Sequence, residues 1–211
     1  KIGHGLVINV GRSERGVGKF HRPRPGSRES EPSRGNAAFV FYPDDDSSPQ
    51  LFDFIRVTPR HGGHKLRFHS EAPFDGVSVL NVLNEGDPRY LISEFLSFEM
   101  FRRAGVPAPK AGHLRLTIDG RPAGHFLTVE QPNRSFLKRH SRDRNGNLYK
   151  IQWFGRGVVD QHEKKTNRHQ GHEDVVQAIS ALRRLEGENR WRYIQQHYNV
   201  PEFASYYAVN M

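Results

Sequence analysis

The first half of the chain alternates apolar and polar positions with the period of two that is typical of half-buried β-strands. Apolar runs bounded by turn residues predict strands at 37–42, 51–57 and 65–68, with a further extended stretch at 74–83. The same alternation runs through 114–118 and 125–129, on either side of Asp119–Gly120, a dipeptide typical of tight hairpin turns. The pattern therefore predicts a sheet-rich lobe, which we assign to residues 37–150.

A single amphipathic helix interrupts these strands. Asp87 is a favourable N-cap, and Pro88 occupies the first helical position, where its missing N–H has no consequence. Leu91, Phe95 and Phe98 then repeat at the spacing of one helix face. A glycine and a proline follow this face, and together they predict the end of the helix.

Towards the end of the chain the apolar positions take up a helical period. One apolar face runs from Val175 to Leu182, and further helices follow around Trp191 and from Pro201. We assign residues 151–211 to the beginning of a helical lobe, and the fold class to α+β. Because the third helix is still apolar at its end, we expect the sequence to continue in the full-length protein.

Composition and charge exclude several kinds of chemistry. The chain has 211 residues and no cysteine, which excludes disulfides, thiolate metal ligands and a cysteine nucleophile. No apolar run reaches the length of about 18 residues that a membrane-spanning helix needs. The net charge is +9, and residues 1–36 hold more than half of it. We predict that this Gly-, Pro- and Arg-rich segment is a linker or poorly ordered; the alternative is a nucleic-acid interface.

One stretch of histidines and glutamates contains the candidate metal ligands. His162, Glu163, His169, His172 and Glu173 lie close together in the sequence. Structural zinc sites commonly combine closely spaced pairs with cysteine, and a site made of histidine alone needs three converging side chains. The segment has the composition of a polar loop that leads into a helix, so we predict no metal site here.

Several segments, taken together, are similar to those of the spore coat protein CotH family. Residues 91–109 resemble the helix and following turn of that family, and 114–120 with 124–131 resemble its hairpin. The remaining similar segments fall in the same order as in the family: Ser135–Lys138, Gly146–Lys150, Glu163–Asn167 and Phe203–Asn210. The resemblance extends over roughly residues 51–211.

The resemblance implies an atypical protein kinase that is secreted, or associated with bacterial spores or cell surfaces. It implies ATP and magnesium as cofactors, and a Ser or Thr of a coat or surface protein as the phosphate acceptor. The implied fold is kinase-like, with a small lobe of antiparallel sheet plus one helix followed by the start of a helical lobe. The family's metal-binding aspartates are expected beyond Met211, so we expect this chain alone to be inactive in phosphate transfer.

The order of the elements also indicates which residues would bind the nucleotide. In a kinase small lobe, a strand lysine contacts the ATP phosphates and pairs with a glutamate of the following helix. Lys65 lies on a predicted strand ahead of the helix, and Glu99 lies on that helix. Glu130 ends the hairpin where the chain would meet adenine, and Lys150 would add a second cation. Each also has a plainer interpretation, as a surface charge or a strand-end carboxylate.

A catalytically inert function is the alternative. The family's Arg-Gly-Ser loop and the lysines that follow it are represented here by the shorter segment Arg60–Lys65. A shortened phosphate loop favours a structural or interaction protein that keeps the fold without the activity.

Overall fold

The computed structural model describes residues 2–9, 37–45, 47–60, 62–84, 92–152 and 154–211. These residues belong to two compact units. The first unit comprises Lys1–Leu91 and Ala111–Val129, and the second comprises Ile92–Lys110 and Glu130–Met211. The fold is an α+β mixture, as the hydrophobic pattern predicts.

The first unit is built on one curled sheet of seven strands. The strands are β1 (Ile2–Asn9), β2 (Ala37–Pro43), β3 (Gln50–Arg60), β4 (Gly63–Arg67), β5 (Val79–Leu83), β6 (Ala111–Ile118) and β7 (Arg121–Glu130). Their order in the sheet is β1-β2-β3-β4-β5-β7-β6. Consecutive strands from β1 to β5 pair antiparallel, as do β6 and β7. β1 also pairs in parallel with β6, which closes the sheet on itself.

The concave face of this sheet holds an aromatic core. The ring centroids of any two of its four phenylalanines lie no more than 6.0 Å apart: Phe39, Phe52, Phe68 and Phe74. Aliphatic side chains from each of the strands β2 to β6, together with Phe126 of β7, complete the cluster. Phe52 and Ile55 both face this core although they are three residues apart, because β3 bulges between them at Phe54, where φ is 55°.

The β6–β7 hairpin turns at the predicted dipeptide. Asp119 and Gly120 both have positive φ, 50° and 76°, as the favoured two-residue hairpin turn requires. Leu114 and Leu116 alternate inward from β6, and both are buried. The sequence prediction for this hairpin is therefore confirmed.

The second unit contains six helices and a small two-stranded sheet within its described residues. The helices are α1 (Ser93–Arg103), α2 (Arg134–Arg139), α3 (Val158–Gln161), α4 (Glu173–Arg184), α5 (Gly187–His197) and α6 (Val200–Asn210). The strands β8 (Tyr149–Ile151) and β9 (His162–Lys164) pair antiparallel. Asn133 caps α2 by accepting hydrogen bonds from the backbone N–H groups of Ser135 and Phe136.

Several predicted elements agree with the structure, and some differ. The three C-terminal helices lie where the helical pattern places them. The predicted start of the first helix, Asp87 and Pro88, lies outside the described residues. Ile2–Asn9 forms a strand within the segment that we interpret as a linker, and residues 10–36 lie outside the described residues. The short elements α3 and β9 are absent from the sequence prediction because each is too short to show a period.

Candidate functional site

A basic surface lies on the face of the sheet opposite the aromatic core. Leu66 of β4 and Phe68, which directly follows that strand, point into the core, so the alternate residues Lys65 and Arg67 point away from it. The register pairs Thr58 with Lys65 and Arg60 with Gly63. The even-numbered residues of this part of β3 therefore lie on the same face of the sheet as Lys65. We call this surface the basic face: Arg56, Arg60, Lys65 and Arg67. Clustered charge of one sign raises the local potential and attracts anions.

The turn between β3 and β4 is fixed by two glycines. Gly63 has φ of 155°, and a Cβ at this position would lie 2.0 Å from the backbone oxygen of Val82. Gly62 has φ of 74°, and its carbonyl oxygen accepts a hydrogen bond of 2.5 Å from the N–H of Asn84. The turn is therefore tied to the end of β5, and only glycine permits so close an approach at residue 63.

Lys65 lies in the middle of the basic face. It is half-buried in β4 and stands opposite Thr58 on one side and Asn81 on the other. This position beside a glycine turn is compatible with the phosphate contact that the sequence predicts. The role of Lys65 in binding a nucleotide stays a prediction.

Asn81 is a functional candidate that the sequence analysis missed. Its side chain is 6% exposed, on a strand whose other residues are apolar. The amide Nδ2 donates to the backbone oxygen of Val129 at 3.3 Å, and Oδ1 accepts from Nη1 of Arg60 at 2.5 Å. The signal that could have found it is the single polar residue inside an apolar strand, because a buried amide persists only where its hydrogen bonds are made.

Glu99 lies on α1, in the second unit, and is paired with its own helix. Its carboxylate binds Arg102 one turn on, and it also accepts from Nε of Arg103 at 3.0 Å. The hydrogen bond from Arg103 lowers the pKa of Glu99, and the nearby charge of Arg102 acts in the same direction. The predicted pairing of Glu99 with Lys65 joins residues of different units and stays a prediction.

Glu130 is completely buried at the end of β7. Its side chain binds the guanidinium of Arg139 on α2 and accepts a hydrogen bond from the backbone N–H of Lys110 at 3.0 Å. Its own backbone N–H donates to the oxygen of Lys110 at 2.8 Å. Any contact between this residue and adenine would therefore use a group other than its amide N–H.

Lys150 is exposed on β8, opposite Glu163 of β9. The carboxylate of Glu163 pairs with Lys165 at 2.5 Å, and that contact lowers the pKa of Glu163. The charges of Lys165, Lys150 and Arg168 all act on this carboxylate in the same direction. The role of Lys150 as a second phosphate-binding residue stays a prediction.

The structure also brings together a polar network that sequence reasoning missed. Asp174, at the start of α4, accepts hydrogen bonds from the hydroxyl of Tyr149 at 2.6 Å and from Nδ2 of Asn147 at 2.7 Å. Burial, and then the contact with Asp174, raises the pKa of Tyr149. Burial alone would raise the pKa of Asp174, but the hydrogen bonds from Tyr149 and Asn147 hold it below its usual value.

Two of the segments that resemble the CotH family contact each other beside this network. Thr166 accepts from the N–H of Leu148 at 2.9 Å and donates to the oxygen of Gly146 at 2.7 Å. Asn167 donates to the oxygen of Asn145 at 2.7 Å. Residues 145–150 and 163–167 are thus held together as a structural unit, which the sequence alone does not reveal because they are separated along the chain.

Two histidines of the candidate metal segment hydrogen-bond to backbone carbonyl groups through a ring nitrogen. Nδ1 of His162 lies 2.7 Å from the oxygen of Val158, and Nε2 of His172 lies 2.9 Å from the oxygen of His162. Within the part of the chain that the structure describes, no three His, Asp or Glu side chains converge as metal ligands. In the same described residues, no helix combines the length and apolar character that crossing a membrane requires.

Comparison with known proteins agrees with the motif order. The chain matches a family model described as CotH kinase protein over residues 62–211. It is also similar to the inner spore coat protein H-like protein of Bacillus subtilis (strain 168), with 31% identity over 105 residues. That alignment covers 49% of this chain and 33% of the relative, so the aligned part spans a third of the relative's length. Because the family model matches well over half of the chain, the protein belongs to the CotH family.

Proposed function

We propose that this protein is part of an atypical protein kinase that binds ATP and phosphorylates Ser or Thr residues of bacterial coat or surface proteins. The family match and the name of the Bacillus subtilis relative support a spore-associated protein. The observation that carries the nucleotide proposal is the basic face beside the Gly62–Gly63 turn. A glycine turn next to fixed cations is a common way to receive phosphate groups.

In this proposal Arg60 and Lys65 bind the ATP phosphates. Arginine forms paired hydrogen bonds with phosphate oxygens, and lysine adds a compact charge. Phosphoryl transfer depends mainly on positioning and on neutralising the charge of the transferred group. Both residues lie on the same face of the sheet, so one phosphate chain can contact both. Glu99, Glu130 and Lys150 belong to the proposal as further nucleotide-binding residues.

The residues of the basic face include no carboxylate that could bind a magnesium ion. The ion is bound by carboxylates together with substrate phosphates. The basic face carries cations and an amide, and no three acidic or histidine side chains converge elsewhere in the described chain. The basic face therefore offers a magnesium ion no carboxylate, and we assign the metal no step.

The experiment that tests the proposal is a calorimetric titration of ATP into the protein, with and without magnesium. Loss of a charge-assisted contact to phosphate is expected to weaken ATP binding by about tenfold to a hundredfold in Lys65→Ala. Lys138→Ala is the matched control, since Lys138 is an exposed lysine on α2. Absence of ATP binding under both conditions, or equal binding by the two variants, would contradict the proposal.

A second candidate, an inert structural protein, is favoured by the internal pairing of the predicted acids. Glu99 is bound by Arg102 and Arg103, and Glu130 is buried against Arg139. If this candidate is right, Lys65→Ala retains association with coat or surface proteins in a pull-down assay, and the wild type binds no nucleotide. Loss of that association in a folded Lys65→Ala protein would argue against it.

A further inference from the structure

β5, the strand that follows the hairpin of β3 and β4, carries a buried amide on the face that Lys65 occupies in β4. In protein kinases the strand after the glycine-rich hairpin holds the phosphate-binding lysine, and a helix comes next. Here the hairpin of β3 and β4 is followed by β5 and then by α1. β5 has the sequence VLNVL, with no basic residue, and Asn81 is its one polar side chain.

Asn81 connects two groups that need opposite hydrogen-bonding partners. The backbone oxygen of Val129 requires a donor, and the guanidinium of Arg60 requires an acceptor. An amide supplies both, whereas lysine has no acceptor and an ionised aspartate has no donor. Because Asn81 is buried, its orientation is fixed by these contacts, and its Oδ1 in turn fixes Arg60.

Arg60 and Lys65 both adjoin Asn81. Lys65 is the direct cross-strand partner of Asn81, at a separation of about 5 Å between Cβ atoms. Arg60 reaches the same amide from the end of β3. A guanidinium has five N–H donors, so a hydrogen bond to Asn81 leaves donors for a phosphate group. The geometry places two cations around one buried anchor, next to the Gly62–Gly63 turn.

We propose that Asn81 is a positioning residue that holds Arg60 beside Lys65, and that the two cations together bind a polyphosphate chain. The inference rests on the proposed function, in that ATP would be the source of the polyphosphate. Without Asn81 the Arg60 side chain samples many rotamers, and polyphosphate affinity falls although no charge is removed.

The test is a set of titrations with two probes, ATP and inorganic tripolyphosphate. Arg60→Ala is expected to weaken binding of either probe about tenfold or more, and Asn81→Leu is expected to weaken it to a similar extent. The double variant is expected to bind within about threefold of Arg60→Ala, because both changes remove the same contact. Arg115→Ala, an exposed arginine on β6, is the control with the same loss of charge.

Each outcome separates the inference from the proposed function. Two results would overturn the positioning role alone. In the first, the wild type binds ATP and Asn81→Leu binds it with the same affinity. In the second, the losses of affinity in Arg60→Ala and Asn81→Leu multiply in the double variant. Equal affinity for tripolyphosphate and ATP supports the anion site and argues against recognition of the nucleoside. No binding of either probe by the wild type overturns both.

A measurement without substitution covers the case in which Asn81→Leu fails to fold. The inference predicts that the Nε–H group of Arg60 is ordered on the nanosecond timescale in the wild type, with a larger heteronuclear NOE than that of Arg115. Equal mobility of the two arginine side chains would show that Asn81 does not hold Arg60.

Discussion

The buried pair of Glu130 and Arg139 is expected to be the most sensitive electrostatic contact in the second unit. The carboxylate of Glu130 is 0% exposed, whereas the side chain of Arg139 is 21% exposed. Replacement of Arg139 by methionine keeps an unbranched apolar side chain against Phe136, whose ring lies 5.6 Å from the guanidinium. It leaves a buried carboxylate whose remaining hydrogen bond comes from the backbone N–H of Lys110.

The expected destabilisation follows from this geometry. Removing one partner of a buried ion pair costs about 3–5 kcal/mol. We expect a loss at the lower end of this range, about 3 kcal/mol, for two reasons. The N–H of Lys110 still donates to the carboxylate, and water can approach from the side where Arg139 is partly exposed. With a urea m-value of about 2 kcal/mol/M, the unfolding midpoint of Arg139→Met falls by about 1.5 M.

Urea unfolding followed by tryptophan fluorescence measures this change. Arg183→Met is the matched control, because Arg183 is an exposed arginine on α4 and its loss should change stability by no more than about 0.5 kcal/mol. Adding Glu130→Gln to Arg139→Met removes the buried charge and should recover part of the lost stability. If Arg139→Met is no less stable than Arg183→Met, the reasoning about a desolvated carboxylate is wrong.

Three further predictions concern other parts of the fold. Gly63→Ala should lower stability by about 2–3 kcal/mol in thermal unfolding, because the added Cβ would clash with the backbone oxygen of Val82. Gly120→Ala, where φ is positive but the space is open, should lose only about 1–2 kcal/mol, and equal losses in the two variants would contradict a clash at residue 63. Tyr149→Phe should lower the free energy of unfolding by about 1.5–3 kcal/mol, because the carboxylate of Asp174 loses a hydrogen-bond donor. Tyr207→Phe, at an exposed tyrosine, is the control and should leave stability unchanged. Unchanged stability in Tyr149→Phe would exclude a stabilising role for this network. Burial lowers the pKa of His64 and of His140 below 6.5, so the unfolded chain binds more protons and stability should fall as pH drops below about 6.5; a urea midpoint that is higher at pH 5.5 than at pH 7.5 would contradict this sign.

The elements that can be predicted from the sequence are those whose signal is local. The β6–β7 hairpin follows from alternation around Asp119–Gly120, and α4 follows from an apolar stripe of helical period. β1 is harder to predict, because a parallel pairing with β6 joins residues that are more than a hundred positions apart. No local pattern records such a contact.

The candidate site shows the same division. Lys65 stands out in the sequence because a basic residue follows a glycine turn. Asn81 does not, because its importance depends on the register that sets it opposite Lys65 and within reach of Arg60. Asp174 is similar, since it reads as an ordinary acidic residue in the first turn of a helix until the fold brings Tyr149 to it. Tertiary hydrogen bonds of this kind need the structure.

The central claim, that the basic face of the first unit receives the phosphates of ATP, is tested most directly by mapping ATP onto the isotopically labelled protein by NMR. The prediction is that the largest chemical-shift changes occur at the backbone amides of Gly62, Gly63 and Lys65 and at the side-chain amide of Asn81. Absence of shifts at these four groups at saturating ATP, or changes confined to α4 and α5 in the second unit, would contradict the claim.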